Sequence, residues 1–118
     1  MKTKILILGI ALTGTITVSS RAADSHDNPS INLKDPVQVL EGRTIYNRTC
    51  TAYCHGRDGL QERAPSLRGR DDLSPEQIHA TISNGKRVAG QIMPAWKDQL
   101  NDQQIWQITA FILSLREQ

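Results

Sequence analysis

The sequence predicts an all-α fold, and the clearest support comes from three helix starts. Each start has a small polar residue that can cap a helix, followed by apolar residues at helical spacing. No stretch of the chain alternates apolar and polar residues as a half-buried strand would, so we expect no β-sheet. The segments between the helices contain glycine and proline without periodicity, which predicts long connecting loops.

Residues 1–22 have the layout of a secretory signal peptide. A positively charged start and an apolar run over residues 5–18 are followed by small residues up to Ala22, after which we expect cleavage. An uncleaved membrane anchor is the alternative. Residues 23–34 are polar and lack periodicity, which predicts a flexible lead-in. One folded domain is then expected over residues 35–118.

Removal of the signal peptide changes the charge of the chain. It takes away Lys2, Lys4 and Arg21, which leaves 11 basic against 12 acidic residues and turns a net charge of +2 into −1. The mature domain therefore has no excess of positive charge that would favour nucleic acid or an anionic membrane surface. A domain this small buries only a modest core and often depends on a disulfide, a metal or a covalent cofactor.

The first helix is predicted to begin at Pro36, with Asp35 as its cap. One face of this helix recurs at spacings of three and four residues: Val39, Gly42, Tyr46 and Cys50. A glycine inside a helix costs about 1 kcal/mol relative to alanine. We therefore expect another backbone to cross the helix closely at Gly42.

Two further helices are predicted from capping boxes. Ser74 and Gln77 form the box of the second helix, and Gly85 is its expected terminator. Asn101 and Gln104 form the box of the third. The apolar stripe of the third helix is wide: Ile108, Phe111, Ile112 and Leu115, extended by Trp106 and Ala110.

The chain's two cysteines and one of its histidines stand together, as Cys50, Cys54 and His55. Their C-x-x-x-C-H spacing is one residue longer than the C-x-x-C-H of covalent haem attachment. A disulfide between the cysteines would close only a small loop and would leave His55 unexplained. A zinc site lacks an evident fourth ligand, and a thiol oxidoreductase would prefer C-x-x-C beside a βαβ unit. Covalent haem uses all three side chains, because the thiols add to its vinyl groups and the imidazole binds its iron.

The longer spacer is still compatible with haem. Helical residues three apart and residues four apart both fall on the same side of a helix. Cys50 and Cys54 can therefore face one porphyrin, at the cost of a local rewinding or bulge of the helix.

The sequence also offers a second axial ligand. Met93 is the single methionine after Met1, and it lies beside Pro94 in a loop rather than on an apolar helical stripe. A lone methionine is often a filler of the core, but such residues usually lie on helices or strands. His26 and His79 are weaker alternatives for the same role.

These motifs together resemble a bacterial class I c-type cytochrome over roughly residues 36–115. Gly42 and Tyr46 resemble the glycine and the aromatic residue of that family's first helix. The last helix of the family crosses the first at this glycine, and it is matched by Ile108, Ala110 and Phe111. The stretch APSLRG resembles the loop whose proline, here Pro65, offers its carbonyl to the histidine ligand. The stretch NGKRVAGQIMPAW resembles the loop that carries the methionine ligand.

The resemblance implies a small class I cytochrome c fold, in which helices with long loops pack around one covalently bound haem c and its iron. Six residues would bind this haem: Cys50 and Cys54 as attachment points, His55 and Met93 as iron ligands, and Pro65 and Trp96 as pocket residues. Trp96 could equally be part of the core.

The resemblance also implies a periplasmic electron carrier that is not an enzyme and has no catalytic residues. Single electrons would pass between a periplasmic dehydrogenase and a downstream oxidase or other cytochrome. The free mature protein would be a monomer that binds no nucleic acid and has no membrane span. Three alternatives stay open: a cytochrome subunit fixed in a dehydrogenase complex, a sensing or catalytic haem protein in which Met93 dissociates, and a haem-free binding module with a Cys50–Cys54 disulfide.

Overall fold

The computed structural model describes residues 31–60 and 63–118. The predicted signal peptide, residues 1–22, lies outside the described residues, and so does the predicted lead-in up to residue 30. The end of the lead-in forms a turn before the first helix, in which the Asp35 N–H donates to the Asn32 carbonyl at 3.0 Å. This turn connects the lead-in to the folded domain.

The frame of the fold consists of three α-helices: α1 (Pro36–Thr49), α2 (Pro75–Asn84) and α3 (Asp102–Ser114). Three short turns of other helical types accompany them: a π-helical turn (Thr51–His55), a 3₁₀ turn (Arg57–Gly59) and a 3₁₀ turn after α3 (Leu115–Glu117). The mostly helical fold confirms the predicted fold class. Among the described residues, no helix combines the length and the apolar character needed to cross a membrane.

The predicted helix starts are confirmed by their capping contacts. The Asp35 carboxylate accepts a hydrogen bond from the Val37 N–H at 2.9 Å, with Pro36 as the first helical residue. Ser74 with Gln77 and Asn101 with Gln104 each form a reciprocal capping box. These contacts satisfy N–H groups that have no partner inside the helix, so they locate each start locally.

The contact between α1 and α3 confirms the close crossing expected at Gly42. A Cβ atom at this position would lie 1.8 Å from the carbonyl oxygen of Gln107. The two backbones approach so closely that only a hydrogen atom fits between them. Beside this point, Gln107 Nε2 donates to Gln38 Oε1 at 2.9 Å and joins the two helices a second time.

The hydrophobic core lies where the three helices meet. Its buried members come from all three helices and their flanks: Ile45, Tyr46, Ile78, Ile82, Leu100, Ile105, Ile108, Phe111, Ile112 and Leu115. Tyr46 and Phe111 pack with their ring centroids 5.1 Å apart. The partly buried Cys50, Met93 and Trp96 pack against this same cluster. The C-terminal end of α1 and the segment around Met93 therefore pack against the same hydrophobic core.

A β-hairpin corrects the expectation that the chain contains no strands. Its antiparallel strands are β1, Lys86–Val88, and β2, Gln91–Met93, and Lys86 pairs with Met93. Ala89 and Gly90 form the turn with φ angles of 47° and 81°, and two positive φ values suit the tight turns of hairpins. Each strand has only three residues, all exposed except Met93, so an alternating pattern could not develop.

Candidate functional site

The π-turn at the end of α1 carries both cysteines and the histidine of the predicted site. Cys50 is the junction residue between α1 and the π-turn, and Cys54 and His55 are the last two residues of the turn. Both thiols are free in the structure. The turn is the local rewinding that the three-residue spacer predicted.

The two thiols differ in their surroundings. The Cys50 thiol packs against the core, and its sulfur lies 3.3 Å from Thr49 Oγ1. Burial raises the pKa of Cys50, because the thiolate would lose its hydration. Cys54 is exposed. The structure therefore places one thiol beside the core and the other at the surface.

His55 presents a buried ring nitrogen with nothing to bind. Its Nδ1 is buried and has no hydrogen-bond partner among the described residues. Burial lowers the pKa of His55, which favours the neutral imidazole, the form that ligates metals. Its ring centroid lies 6.4 Å from that of Tyr46, whose hydroxyl donates to the Gly56 carbonyl at 3.3 Å. Burying a polar atom without a partner costs about 1–3 kcal/mol of folding free energy. A bound metal or a carbonyl acceptor at this imidazole would offset that cost.

The loop that contains Pro65 lies next to the π-turn. The carbonyl of Cys54 accepts hydrogen bonds from the N–H groups of Arg63, at 3.1 Å, and Ala64, at 2.9 Å. These two bonds bring the residue before Pro65 against the end of the π-turn. In the described part of the chain, no hydrogen bond joins His55 Nδ1 to the Pro65 carbonyl. That contact stays a prediction.

Asp58 makes structural contacts next to the candidate site that the sequence reasoning missed. Its carboxylate accepts from Arg43 Nε and Nη2, both at 2.8 Å, and from Asn47 Nδ2 at 3.3 Å. Its carbonyl accepts from Arg68 Nε at 3.1 Å. The hydrogen bonds from Arg43 hold the pKa of Asp58 below its ordinary value. Asp58 therefore joins α1 and the loop at Arg68 to the segment that follows His55.

The backbone of Asp58 is also special. Its φ of 53° lies in the left-handed region, which Asp and Asn tolerate better than other side chains. The Asp-Gly pair, Asp58 and Gly59, is the one sequence signal for a tight turn at this place. No local pattern indicates that Arg43, on another element, would meet this carboxylate.

Met93 is positioned by the end of α2. It is half-buried against the core, and its strand partner Lys86 directly follows Gly85, the C-terminal cap of α2. Three residues further on, the Trp96 N–H donates to the Ile82 carbonyl at 3.0 Å. The chain is therefore tied to α2 on both sides of Met93. Met93 is the last residue of β2, so the prediction that it lies in a loop is wrong, because the pairing with Lys86 extends the hairpin to this residue. Trp96 itself packs against the core cluster.

Gly85 lets these two segments approach each other. A Cβ atom there would lie 2.5 Å from the Met93 carbonyl oxygen and 2.8 Å from the Ala95 nitrogen. Its φ of 73° also falls in the left-handed region that favours glycine. The terminator predicted from the sequence is thus also the place where the methionine segment crosses the end of α2.

The alternative histidines are less suited to an axial position. His79 Nε2 lies 2.8 Å from Asp102 Oδ1, and its ring stacks on Trp106 with centroids 4.2 Å apart. These contacts join α2 to the first turn of α3. His26 lies outside the described residues. Over residues 31–60 and 63–118, no group of three or more His, Cys, Asp or Glu side chains could hold a metal ion, so the zinc interpretation gains no support.

The donor set fits a covalently attached haem. Two free thiols follow one another along a single turn, and burial lowers the pKa of the adjacent imidazole, whose buried Nδ1 has no hydrogen-bond partner among the described residues. A thioether sulfur, that of Met93, packs against the same core as Cys50. Thiols, imidazole and thioether are the groups that hold haem in c-type cytochromes.

Comparison with known proteins decides the family. Residues 37–112 match the family described as cytochrome C oxidase, cbb3-type, subunit III, and the chain belongs to it. The chain is a class I c-type cytochrome. The family assignment confirms the predicted resemblance and the predicted cofactor, one covalently bound haem c with its iron. As an electron-carrier cytochrome, the domain is not an enzyme in itself.

Two kinds of relative are similar to this cytochrome. It is 34% identical over 83 residues to the cbb3-type cytochrome c oxidase subunit FixP of Rhizobium meliloti, covering 68% of this chain and 28% of the relative. It is 32% identical over 84 residues to cytochrome c6 of Leptolyngbya boryana, covering 64% of this chain and 91% of the relative. The chain thus spans little more than a quarter of FixP but nearly all of cytochrome c6. No solved structure matches the chain.

Proposed function

We propose that the chain is an electron-transfer protein that holds one haem c between His55 and Met93 and passes single electrons to a partner protein. One observation carries the axial assignment: His55 follows Cys54 directly on the π-turn, and its buried Nδ1 has no hydrogen-bond partner within residues 31–60 and 63–118. A ring in that state is prepared for a metal on one nitrogen and a hydrogen-bond acceptor on the other.

The two axial residues determine what the site can do. His55 supplies an imidazole whose pKa is lowered by burial, which favours the neutral form, and Met93 supplies a thioether from a segment tied to α2 on both sides. Bound haem supplies an iron that changes between the ferrous and ferric states. If His55 and Met93 both held the iron, they would leave no position open to oxygen or peroxide, and a methionine ligand would raise the reduction potential relative to a second histidine. This supports electron transfer rather than catalysis or gas sensing.

The similarity to FixP supports a partner of the oxidase class. FixP is a subunit of a cbb3-type cytochrome c oxidase, so we propose that this domain delivers electrons toward a terminal oxidase, as a shuttle or as a fixed cytochrome subunit. The similarity to cytochrome c6, of which the chain covers 91%, favours the shuttle. A periplasmic dehydrogenase as the electron donor is implied only by the resemblance to class I cytochromes. Neither FixP nor cytochrome c6 adds support for this donor.

Export of the domain is part of the proposal. The signal-peptide pattern of residues 1–22 supports a periplasmic location for the mature protein. N-terminal sequencing of the protein secreted by a bacterial host tests this. A mature chain that starts at Ala23 is expected, and a chain that retains residues 1–22 in the membrane fraction would indicate an anchor instead.

The experiment that tests the proposed function is a redox titration of the holoprotein, with carbon monoxide as a probe of the ferrous form. The full chain is secreted by a host that matures cytochromes c. We expect a reversible one-electron transition and no carbon monoxide binding. Met93→Ala should open a coordination position, lower the potential and allow carbon monoxide to bind, whereas Ile92→Ala, at the exposed neighbour in β2, should leave both properties unchanged.

Two outcomes would contradict the proposal. Rapid carbon monoxide binding by the unmodified ferrous protein would favour a sensing or catalytic haem protein. A colourless protein from a host that matures a control cytochrome c would favour the haem-free module.

A further inference from the structure

The π-turn at Cys50–His55 is a local departure from α-helical geometry at the place where the motif is one residue too long. The His55 N–H donates to the Cys50 carbonyl at 3.3 Å, so the hydrogen bond joins residues five apart. An α-helical bond joins residues four apart. A π-turn therefore holds one more residue between its two hydrogen-bonded ends than an α-turn does, and such turns are frequent at functional sites.

The start of the π-turn is fixed to α1. The Cys50 N–H donates to the Tyr46 carbonyl at 2.8 Å, in the α-helical pattern, so α1 is regular up to the first cysteine. Thr51 Oγ1 donates to the Asn47 carbonyl at 2.9 Å, which gives this carbonyl a side-chain partner where the helix changes type. Threonine back-bonding of this kind loosens and bends helices. The change of geometry therefore begins immediately after Cys50.

The end of the π-turn is fixed as well. The Cys54 carbonyl accepts from two N–H groups, those of Arg63 and Ala64. Gly56 then ends the turn at a φ of 68°, a conformation that glycine adopts at little cost. Both ends of the turn are therefore tied, and the additional residue lies between them, inside the turn.

We propose that this π-turn makes C-x-x-x-C-H a complete haem-attachment motif, in which Cys50 and Cys54 both form thioether bonds to one haem while His55 binds its iron. The proposal rests on the proposed function, since it concerns the same haem. It adds that the first cysteine takes part despite the longer spacer, and that the protein backbone rather than the cofactor absorbs the extra residue.

The chemistry of attachment requires no further reagent. Each thiol adds across the C=C bond of one vinyl group: the sulfur bonds to the inner carbon, and the hydrogen of the thiol ends on the outer carbon. Nothing is oxidised and nothing leaves. The holoprotein therefore has the mass of the mature chain plus one intact haem, and no free thiol remains.

The test combines the pyridine haemochrome spectrum, the intact mass and the count of alkylatable thiols in the denatured holoprotein. Cys50→Ala and Cys54→Ala provide references for attachment through one thioether. We expect the unmodified protein to show the two-thioether spectrum and no free thiol. Haem attachment with the spectrum of Cys50→Ala and one free thiol would overturn the inference and leave the proposed function standing. The absence of covalent haem would overturn both.

Deletion of Ala52 is the matched variant, because it shortens the spacer to two residues and removes an exposed residue. We expect its spectrum and thiol count to equal those of the unmodified protein, with the π-turn replaced by an α-turn. A deletion that converts a one-thioether spectrum into a two-thioether spectrum would show that the extra residue prevents attachment at Cys50.

Discussion

The helical frame of this cytochrome is built differently from the two segments that carry the proposed iron ligands. The frame, α1 to α3, is defined by local caps and by apolar stripes that meet in one core. The segments with the proposed ligands are the π-turn with its following loop, residues 50–59, and the hairpin, residues 86–93. They are held by hydrogen bonds and by glycines at close crossings. Substitutions that disrupt the close helix contacts of the frame should therefore mainly lower the unfolding free energy, whereas substitutions that displace Met93 should mainly change the proposed iron ligation of a protein that stays folded.

Gly42→Ala is expected to have the largest effect. Its methyl group would overlap the backbone of Gln107, so α1 and α3 must move apart and the core between them must open. Overpacking of a tight contact costs about 3 kcal/mol. The small gain in helix propensity from alanine does not offset this. Chemical denaturation of the holoprotein measures the effect, with the exposed Glu41→Ala as a nearly neutral control in the same helix. A Gly42→Ala protein as stable as this control would contradict the close crossing.

Gly85→Ala should have the next largest effect and should act on the methionine ligand. Alanine at φ 73° is strained by about 1–2 kcal/mol. Its methyl group would also push on the Met93 carbonyl and the Ala95 nitrogen. We expect a folded protein in which carbon monoxide competes for the position of Met93. Retention of a fully methionine-ligated ferrous haem would show that the hairpin tolerates this displacement.

Gly90→Ala distinguishes the two effects expected of Gly85→Ala, which are backbone strain and a steric clash. Gly90 has a φ of 81°, but a Cβ atom there would meet nothing within 4 Å. We expect a loss of about 1 kcal/mol in unfolding free energy and no change in ligation, measured by the same denaturation and carbon monoxide assays. Equal carbon monoxide binding in the two glycine variants would mean that backbone strain alone loosens Met93.

Asp58 should make the unfolding free energy of the protein depend on pH in the acidic range. Its pKa is lower in the folded protein than in the unfolded chain because Arg43 donates to the carboxylate. Its contribution is therefore complete above the unfolded value of about 3.9 and is lost as the pH falls through the folded value. Asp58→Asn, which keeps a side chain suited to positive φ, should remove this part of the pH dependence of the unfolding free energy between about pH 5 and 2. Asp71→Asn, at an exposed carboxylate, should keep it. Identical pH profiles for Asp58→Asn and the unmodified protein would contradict the role of the Arg43 contact.

The difference between the helical frame and the two segments also explains which features the sequence could predict. The starts of all three helices follow from Asp35, Ser74 and Asn101, because capping depends on residues only a few positions apart. The crossing at Gly42 was also predictable, since a glycine on the inward face of a helix needs a close neighbour. The irregular turn between Cys50 and Cys54 followed from the count of residues in the spacer.

The missed features depend on contacts between distant parts of the chain or on very short elements. The ion pair of Asp58 with Arg43 joins residues 15 positions apart on different elements. The hairpin has three residues in each strand, and Ala89 occupies a turn position where asparagine or glycine would have been the usual signal. The contacts of Gly85 with the Met93 segment could not be predicted either. A glycine at the end of α2 is already explained by helix termination, so the sequence gives no sign of a second role.

The central claim, one haem held by His55 and Met93, is tested most directly by the proton NMR spectrum of the ferrous holoprotein. A methionine bound to haem iron lies over the porphyrin, whose ring current shifts its methyl signal far upfield. Met93 is the single methionine after Met1, so loss of the signal in Met93→Ala would identify its source. We expect this signal in the unmodified protein and in Ile92→Ala, and its loss in Met93→Ala. A haem-bearing protein without the signal, or with the signal retained in Met93→Ala, would contradict the account.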